Sequence, residues 1–108
     1  MSVEPFHVTD SNFEKTIKKN KFAFIDFWAS WCGPCRALAP TIVELAKEYS
    51  GKVLIGKLDV DENPVSAEKF GVQSIPTMVV FKDGKEAERL VGLCTKGKIS
   101  DTLQKYLM

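Results

Sequence analysis

The sequence predicts an α/β fold: a mixed central β-sheet of about five strands flanked by about four helices. Three observations lead there. Dense apolar runs that read as strands alternate with segments of helical period along most of the chain. Near the end, Asp83-Gly84 joins two strand-like runs as a tight hairpin. A last helical segment then closes the chain. Alternation calls for parallel pairing with crossover helices, and the hairpin adds an antiparallel edge.

Each element has its own signal. "PFHV" is a short apolar run suited to an edge strand. "TDSNFEKTIKKN" offers Asp10 or Ser11 as an N-cap, and Phe13 and Ile17 stand four apart on one helical face. "KFAFIDFWA" shows no polar alternation except Asp26, as expected of a strand buried on both faces. "CRALAPTIVELAKEY" repeats apolar residues at Leu38, Ile42, Leu45, Ala46 and Tyr49, a helical period. Pro40 should remove one backbone bond there and kink the helix, and Gly51 should stop it. "KVLIGKLDV" is a further strand. "NPVSAEKFG" has Asn63 as N-cap, Pro64 at the first helical position and Gly71 as terminator. "TMVVFK" and "EAERLVG" flank the hairpin turn. "TKGKISDTLQKYLM" turns Ile99, Leu103, Tyr106 and Leu107 inward.

The bulk numbers narrow the function. The 108 residues are expected to form one domain, and a chain of this size can bury roughly two thirds of its unfolded surface. There are 15 Lys+Arg against 14 Asp+Glu, a net charge of +1. That balance gives no reason to expect nucleic acid or a membrane surface as partner. The longest apolar stretch is too short to span a bilayer and contains Asp26. The N-terminus does not read as a secretory signal. A cytoplasmic protein is expected. The three cysteines, Cys32, Cys35 and Cys94, are an odd number and argue against a disulfide framework.

The chemistry concentrates in "WCGPC" at residues 31–35. With Cys32 at the N-terminal edge of a helix, its sulfur meets unpaired backbone N–H groups and the positive end of the helix dipole. Both favour thiolate and should lower the thiol pKa. Cys35 follows one turn later, within reach of Cys32. Gly33 allows close approach of another chain, and Pro34 stiffens the first turn. The pair can therefore capture a partner disulfide with one sulfur and release it with the other. The rival is a zinc half-site. Zinc wants four ligands, and only His7 and Cys94 remain, at no recognised spacing, so no metal is expected.

"FIDFWASWCGPCRALAP", with "SIPT" and "VGLCTKG" further on, closely resembles the thioredoxin family from Phe6 to the C-terminus. The resemblance implies the thioredoxin fold and protein-disulfide reductase activity, with no bound cofactor. It implies Cys32 as attacking nucleophile and Cys35 as resolving thiol. Asp26 matches a buried carboxylate behind the pair, a proton acceptor for Cys35 whose pKa burial should raise. Lys57 matches its charged partner. Pro76 matches a cis-proline that offers the backbone of Ile75 to an extended substrate. Trp31, Gly33, Pro34, Ile75 and Gly92 resemble a flat docking surface, with Gly71 at its margin and Trp28 packed beneath the loop. The implied partners are a thioredoxin reductase and disulfide-containing protein substrates, met by a monomer.

Some readings stay open at this stage. Lys57 reads equally well as a surface lysine on a strand. Cys94 departs from a family position often held by a small residue; it is either a small buried hydrophobe or a reactive thiol beside the docking surface. A binding module without turnover would use the same patch. An oxidase or isomerase would share the fold, although "GP" between the cysteines favours reduction.

Overall fold

The computed structural model describes residues 3–108. Nine elements follow in chain order: β1 (Phe6–His7), α1 (Phe13–Lys19), β2 (Phe22–Trp28), α2 (Gly33–Glu48), β3 (Leu54–Asp59), α3 (Pro64–Lys69), β4 (Thr77–Lys82), β5 (Lys85–Val91) and α4 (Lys96–Leu107). The five strands form one sheet in the order β1-β3-β2-β4-β5. β1 and β2 both run parallel to β3, while β4 is antiparallel to β2 and β5 to β4. The sheet is mixed, as the alternation and the late hairpin predict.

β2 lies in the middle because it can be covered on both faces. Its residues 23–27 are all buried. On one face Phe24 packs with Met78, Val80 and Ile55 against Leu38, Ile42 and Leu45 of α2 and Ile99 and Leu103 of α4. On the other, Ile25 and Phe27 pack with Val79, Phe81 and Leu58 against Phe13 and Ile17 of α1 and Ala67 of α3. Phe13 stacks on Phe70 at 4.9 Å between centroids, and Phe81 meets both rings edge-on. Burying each such ring contributes about 1.5–3 kcal/mol. These two cores hold the sheet ends that carry the cysteines.

Two positions need glycine or its tolerance. At Gly56 of β3 a Cβ would come within 2.7 Å of Val8 Cγ2 and 3.2 Å of the Phe6 carbonyl oxygen, so a side chain there would push β1 off the sheet. At the hairpin, Asp83 and Gly84 both have positive φ, 52° and 83°, the pairing a two-residue turn requires.

Local expectations fail at helix ends. α1 is not capped by Asp10 or Ser11; its N-cap is Asn12, whose side chain accepts from Thr9 N–H instead of from the helix. α3 begins after Asn63, but Asn63 makes no capping bond to it. Its side-chain oxygen accepts from Asp10 N–H. The cap of α3 is the Asp10 carboxylate, which accepts from Val65 N–H at 3.2 Å and Ser66 N–H at 2.8 Å. The two loops satisfy one another across some 55 residues of sequence. β1 is only two residues long, although Val8 N–H still donates to Lys57 O. α2 stays helical through Pro40, which sits on its exposed side. Lys57 faces Asp26 in register across β2 and β3.

Candidate active site

The cysteine pair sits where β2 ends and α2 begins. Ala29 O accepts from Cys32 N–H, closing the turn between them. Cys32 is the N-cap of α2, and its Sγ accepts from Cys35 N–H at 3.2 Å. One of the orphan donors of the helix start is therefore aimed at this sulfur. Pro34 occupies the first turn, where a missing N–H costs nothing. Cys32 and Cys35 are joined as a disulfide, with Cα atoms 5.2 Å apart. Both are nearly buried, in a small apolar cluster with Ala29, Trp28, Val60 and Ile75.

The neighbouring loops complete the corner. The Ile75–Pro76 peptide is cis, and the Ile75 carbonyl oxygen lies 3.7 Å from Cys32 Sγ. Gly92 N–H donates to Pro76 O, which brings the end of β5 alongside. Trp31 is 66% exposed, and Val91 and Leu93 are exposed on either side of Gly92. Gly33 and Pro34 are also exposed. Of the predicted surface residues, Gly33 and Pro34 lie in the first turn of α2, Trp31 in the turn before it, and Ile75 and Gly92 in the two loops joined by the Gly92–Pro76 bond. Gly71, by contrast, belongs to the turn that ends α3.

Asp26 is fully buried, and neither carboxylate oxygen has a hydrogen-bond partner among the described residues. Loss of hydration pushes its pKa from 3.8 up to about 7, with the Lys57 charge pulling the other way. The two do not form an ion pair. Lys57 Nζ sits over the Trp28 ring, 4.1 Å from its centroid, so the ammonium is held by the indole face while its field still reaches the carboxylate. A groove of about 280 Å³, lined by Phe6, His7, Trp28, Val43 and Lys57 among others, connects this lysine to the surface.

Sequence reasoning passed over the braces of the loop. Trp31 Nε1–H donates to Asp61 Oδ2 at 2.8 Å, and Arg36 Nη1 donates to Ser30 O at 3.1 Å. Asp59 in turn accepts from Asp61 N–H. A D-x-D pattern after a strand is a signal for such a side-chain turn; its contact with Trp31, thirty residues away, is not. Cys94 is half-buried, packed against the α2–α4 core, with its Sγ 3.5 Å from Gly92 O. Among the described residues no group of three or more His, Cys, Asp or Glu side chains could hold a metal ion, and no helix is long and apolar enough to cross a membrane.

A helix-capping disulfide flanked by an exposed tryptophan, a cis-proline loop and a buried carboxyl defines a thiol–disulfide oxidoreductase built on a five-stranded mixed sheet. The family model for thioredoxin matches residues 4–105. The thioredoxin of Staphylococcus haemolyticus is 52% identical over 100 residues, covering 93% of this chain and 95% of that relative. Thioredoxin 2 of Chlorobaculum tepidum is 47% identical over 108 residues, covering 99% of both. Among solved structures, a point-mutant thioredoxin from Halobacterium salinarum superposes with a TM-score of 0.90 at 34% identity, covering 100% of this chain and 96% of that one. The chain belongs to the thioredoxin family, and its function is protein-disulfide reduction.

Proposed function

We propose that Cys32 is the sulfur that attacks and Cys35 the one that releases. In the reduced protein the Cys35 N–H and the α2 dipole stabilise a Cys32 thiolate. That thiolate attacks one sulfur of a substrate disulfide and expels the other as a thiolate, leaving a mixed disulfide. Cys35 then loses its proton to the Asp26 carboxylate and attacks Cys32 Sγ. The second substrate sulfur departs as a thiolate, which takes up the proton that Asp26 then gives back, and Cys32–Cys35 is left oxidised. Two electrons pass from the dithiol to the substrate. Because the reacting sulfurs are tethered one turn apart, the second step is effectively unimolecular.

Asp26 suits this role because its pKa near 7 lets it take a proton and give it back near neutral pH. Lys57 holds that value down from the neighbouring strand. Substrate lies across Trp31, Gly33, Pro34, Ile75 and Gly92, pairing its backbone with that of Ile75. One domain carries this cycle as a monomer in the cytoplasm, where thiols stay reduced. A thioredoxin reductase returns the electrons, and protein disulfides receive them.

The observation that carries this reading is the Cys32–Cys35 disulfide at the start of α2 with a buried, unpartnered carboxyl on the strand behind it. Insulin reduction driven by dithiothreitol tests it. The wild type is expected to accelerate precipitation of the insulin B chain, and Cys32→Ser to leave only the dithiothreitol background. Equal rates for the two proteins would refute it.

A further inference from the structure

Arg89 and Glu86 of β5 form the ion pair most withdrawn from water among the described residues, with side chains 29% and 32% exposed. The guanidinium grips the carboxylate with two parallel bonds of 2.8 Å, from Nε and Nη2. This fork fixes the plane of the guanidinium. Nη2 also donates to the carbonyl oxygen of Phe70 at 2.7 Å. Phe70 is the C-cap of α3, so the bond satisfies a carbonyl that the helix end would otherwise leave open.

From Phe70 the chain runs directly to the active site. Residues 71–76 cross from α3 to β4 and include Ile75, whose carbonyl lies beside Cys32 Sγ. The near end of this bridge is fixed by Gly71 N–H to Glu68 O and Val72 N–H to Ala67 O. The far end is fixed by Thr77 Oγ1 to Ser74 O and Gly92 N–H to Pro76 O. Among the described residues, the N–H groups of Gln73, Ser74 and Ile75 find no acceptor in the protein, and Gln73 and Ser74 are exposed. The backbone of the middle is therefore placed by its two anchors and by the packing of Val72 and Ile75 against the buried clusters. Arg89 ties the first anchor to the sheet, opposite Val79 in the β4–β5 ladder. Phe70's ring is held separately by Phe13 and Phe81.

We propose that Arg89, oriented by Glu86, is a positioning residue for disulfide exchange: it sets the segment 71–76 so that the Ile75 backbone meets an extended protein substrate at the reactive sulfur. The role rests on the docking of substrate along Ile75. It predicts a split between substrates. A protein disulfide needs the Ile75 backbone, whereas a small aromatic disulfide needs only access to Cys32.

The test compares wild type, Arg89→Ala, Arg89→Lys and Glu86→Gln on insulin and on dithiobis(nitrobenzoate). Arg89→Ala is expected to raise KM for insulin about fivefold, a fraction of what misplacing a reacting group can cost. Its kcat, its rate with the small disulfide and the Cys32–Cys35 potential should stay at wild-type values. Arg89→Lys, which keeps a charged donor, should recover part of the KM. Glu86→Gln should fall between and keeps the question answerable if Arg89→Ala folds poorly. Unchanged KM in every variant, or a parallel loss on both substrates, would overturn the proposal. A wild type that reduces neither substrate would instead overturn the exchange reading itself.

Discussion

Two aspartates on opposite sides of the sheet show how the same side chain is put to different uses. Asp10, at the junction of α1 and α3, is half-buried and accepts two backbone N–H bonds. Desolvation pushes its pKa up, but the bonds from Ser66 and Val65 outweigh it and hold the carboxyl below its ordinary value. Asp26, at the centre of β2, is fully buried and accepts none. There desolvation wins, and the pKa climbs to about 7. The difference is the supply of donors. A helix end offers free N–H groups, whereas a central strand has already committed its own to the neighbouring strands. Asp10 is a staple, and Asp26 is a carboxyl whose charged form the fold disfavours, as the proposed proton transfer from Cys35 requires.

The two should respond to pH with opposite sign. Asp26 stays protonated in the fold while it ionises in the unfolded chain between about pH 4 and 7. Its burial therefore lowers stability progressively as pH rises through that window, and the loss is complete above it. The shift from 3.8 to about 7 corresponds to on the order of 4 kcal/mol. Asp26→Asn, which cannot ionise, is expected to be more stable than wild type at pH 8 by an amount of that order. The gain should shrink to nothing by pH 4 in denaturant titrations. The same variant should slow release of the mixed disulfide near pH 7. A gain that did not change with pH would break the comparison from the Asp26 side.

Asp10 gives the smaller effect. Its depressed pKa means that its contribution is fully present above the ordinary carboxylate range and lost as pH falls through the folded value. Asp10→Ala should cost about 1 kcal/mol at pH 7, the usual worth of a helix cap, and less below pH 4. A cost that grew on acidification would contradict the cap. The smallest effect belongs to Lys57→Met. Removing the ammonium takes away the one influence that lowers the Asp26 pKa. The carboxyl should then titrate above its wild-type value, as followed by its infrared band; an unchanged titration would show that the charge over Trp28 does not reach Asp26.

Much of this was readable in the chain because it is encoded locally. "FAFIDFW" declares a strand buried on both faces, and Asp26 within it declares a buried carboxyl. "WCGPC" at a helix start places both sulfurs, and Asp83-Gly84 fixes the hairpin. The misreadings all involve partners far apart in sequence. Asp10 and Asn63 each look like the cap of the helix that follows them. Only the packing of α1 beside α3 shows that Asp10 caps the other helix. Lys57 is different: only the family resemblance pairs it with Asp26, and its charge does lower the Asp26 pKa from the neighbouring strand. That its ammonium settles on the Trp28 ring depends on three-dimensional placement. Asp61 bracing Trp31, and Arg89 holding Phe70, leave no periodic trace. These braces of the reactive corner are long-range, whereas its two sulfurs lie in one contiguous stretch.

The order of attack at the disulfide is the centre of the account, and trapping tests it most directly. Reduced Cys35→Ser and Cys32→Ser are each mixed with a disulfide-bonded protein and read by non-reducing mass spectrometry. Cys35→Ser should accumulate a covalent adduct through Cys32, because nothing remains to release it, and Cys32→Ser should form none. Adducts of equal yield in the two variants, or one held through Cys35 alone, would contradict the assignment of nucleophile and resolving thiol.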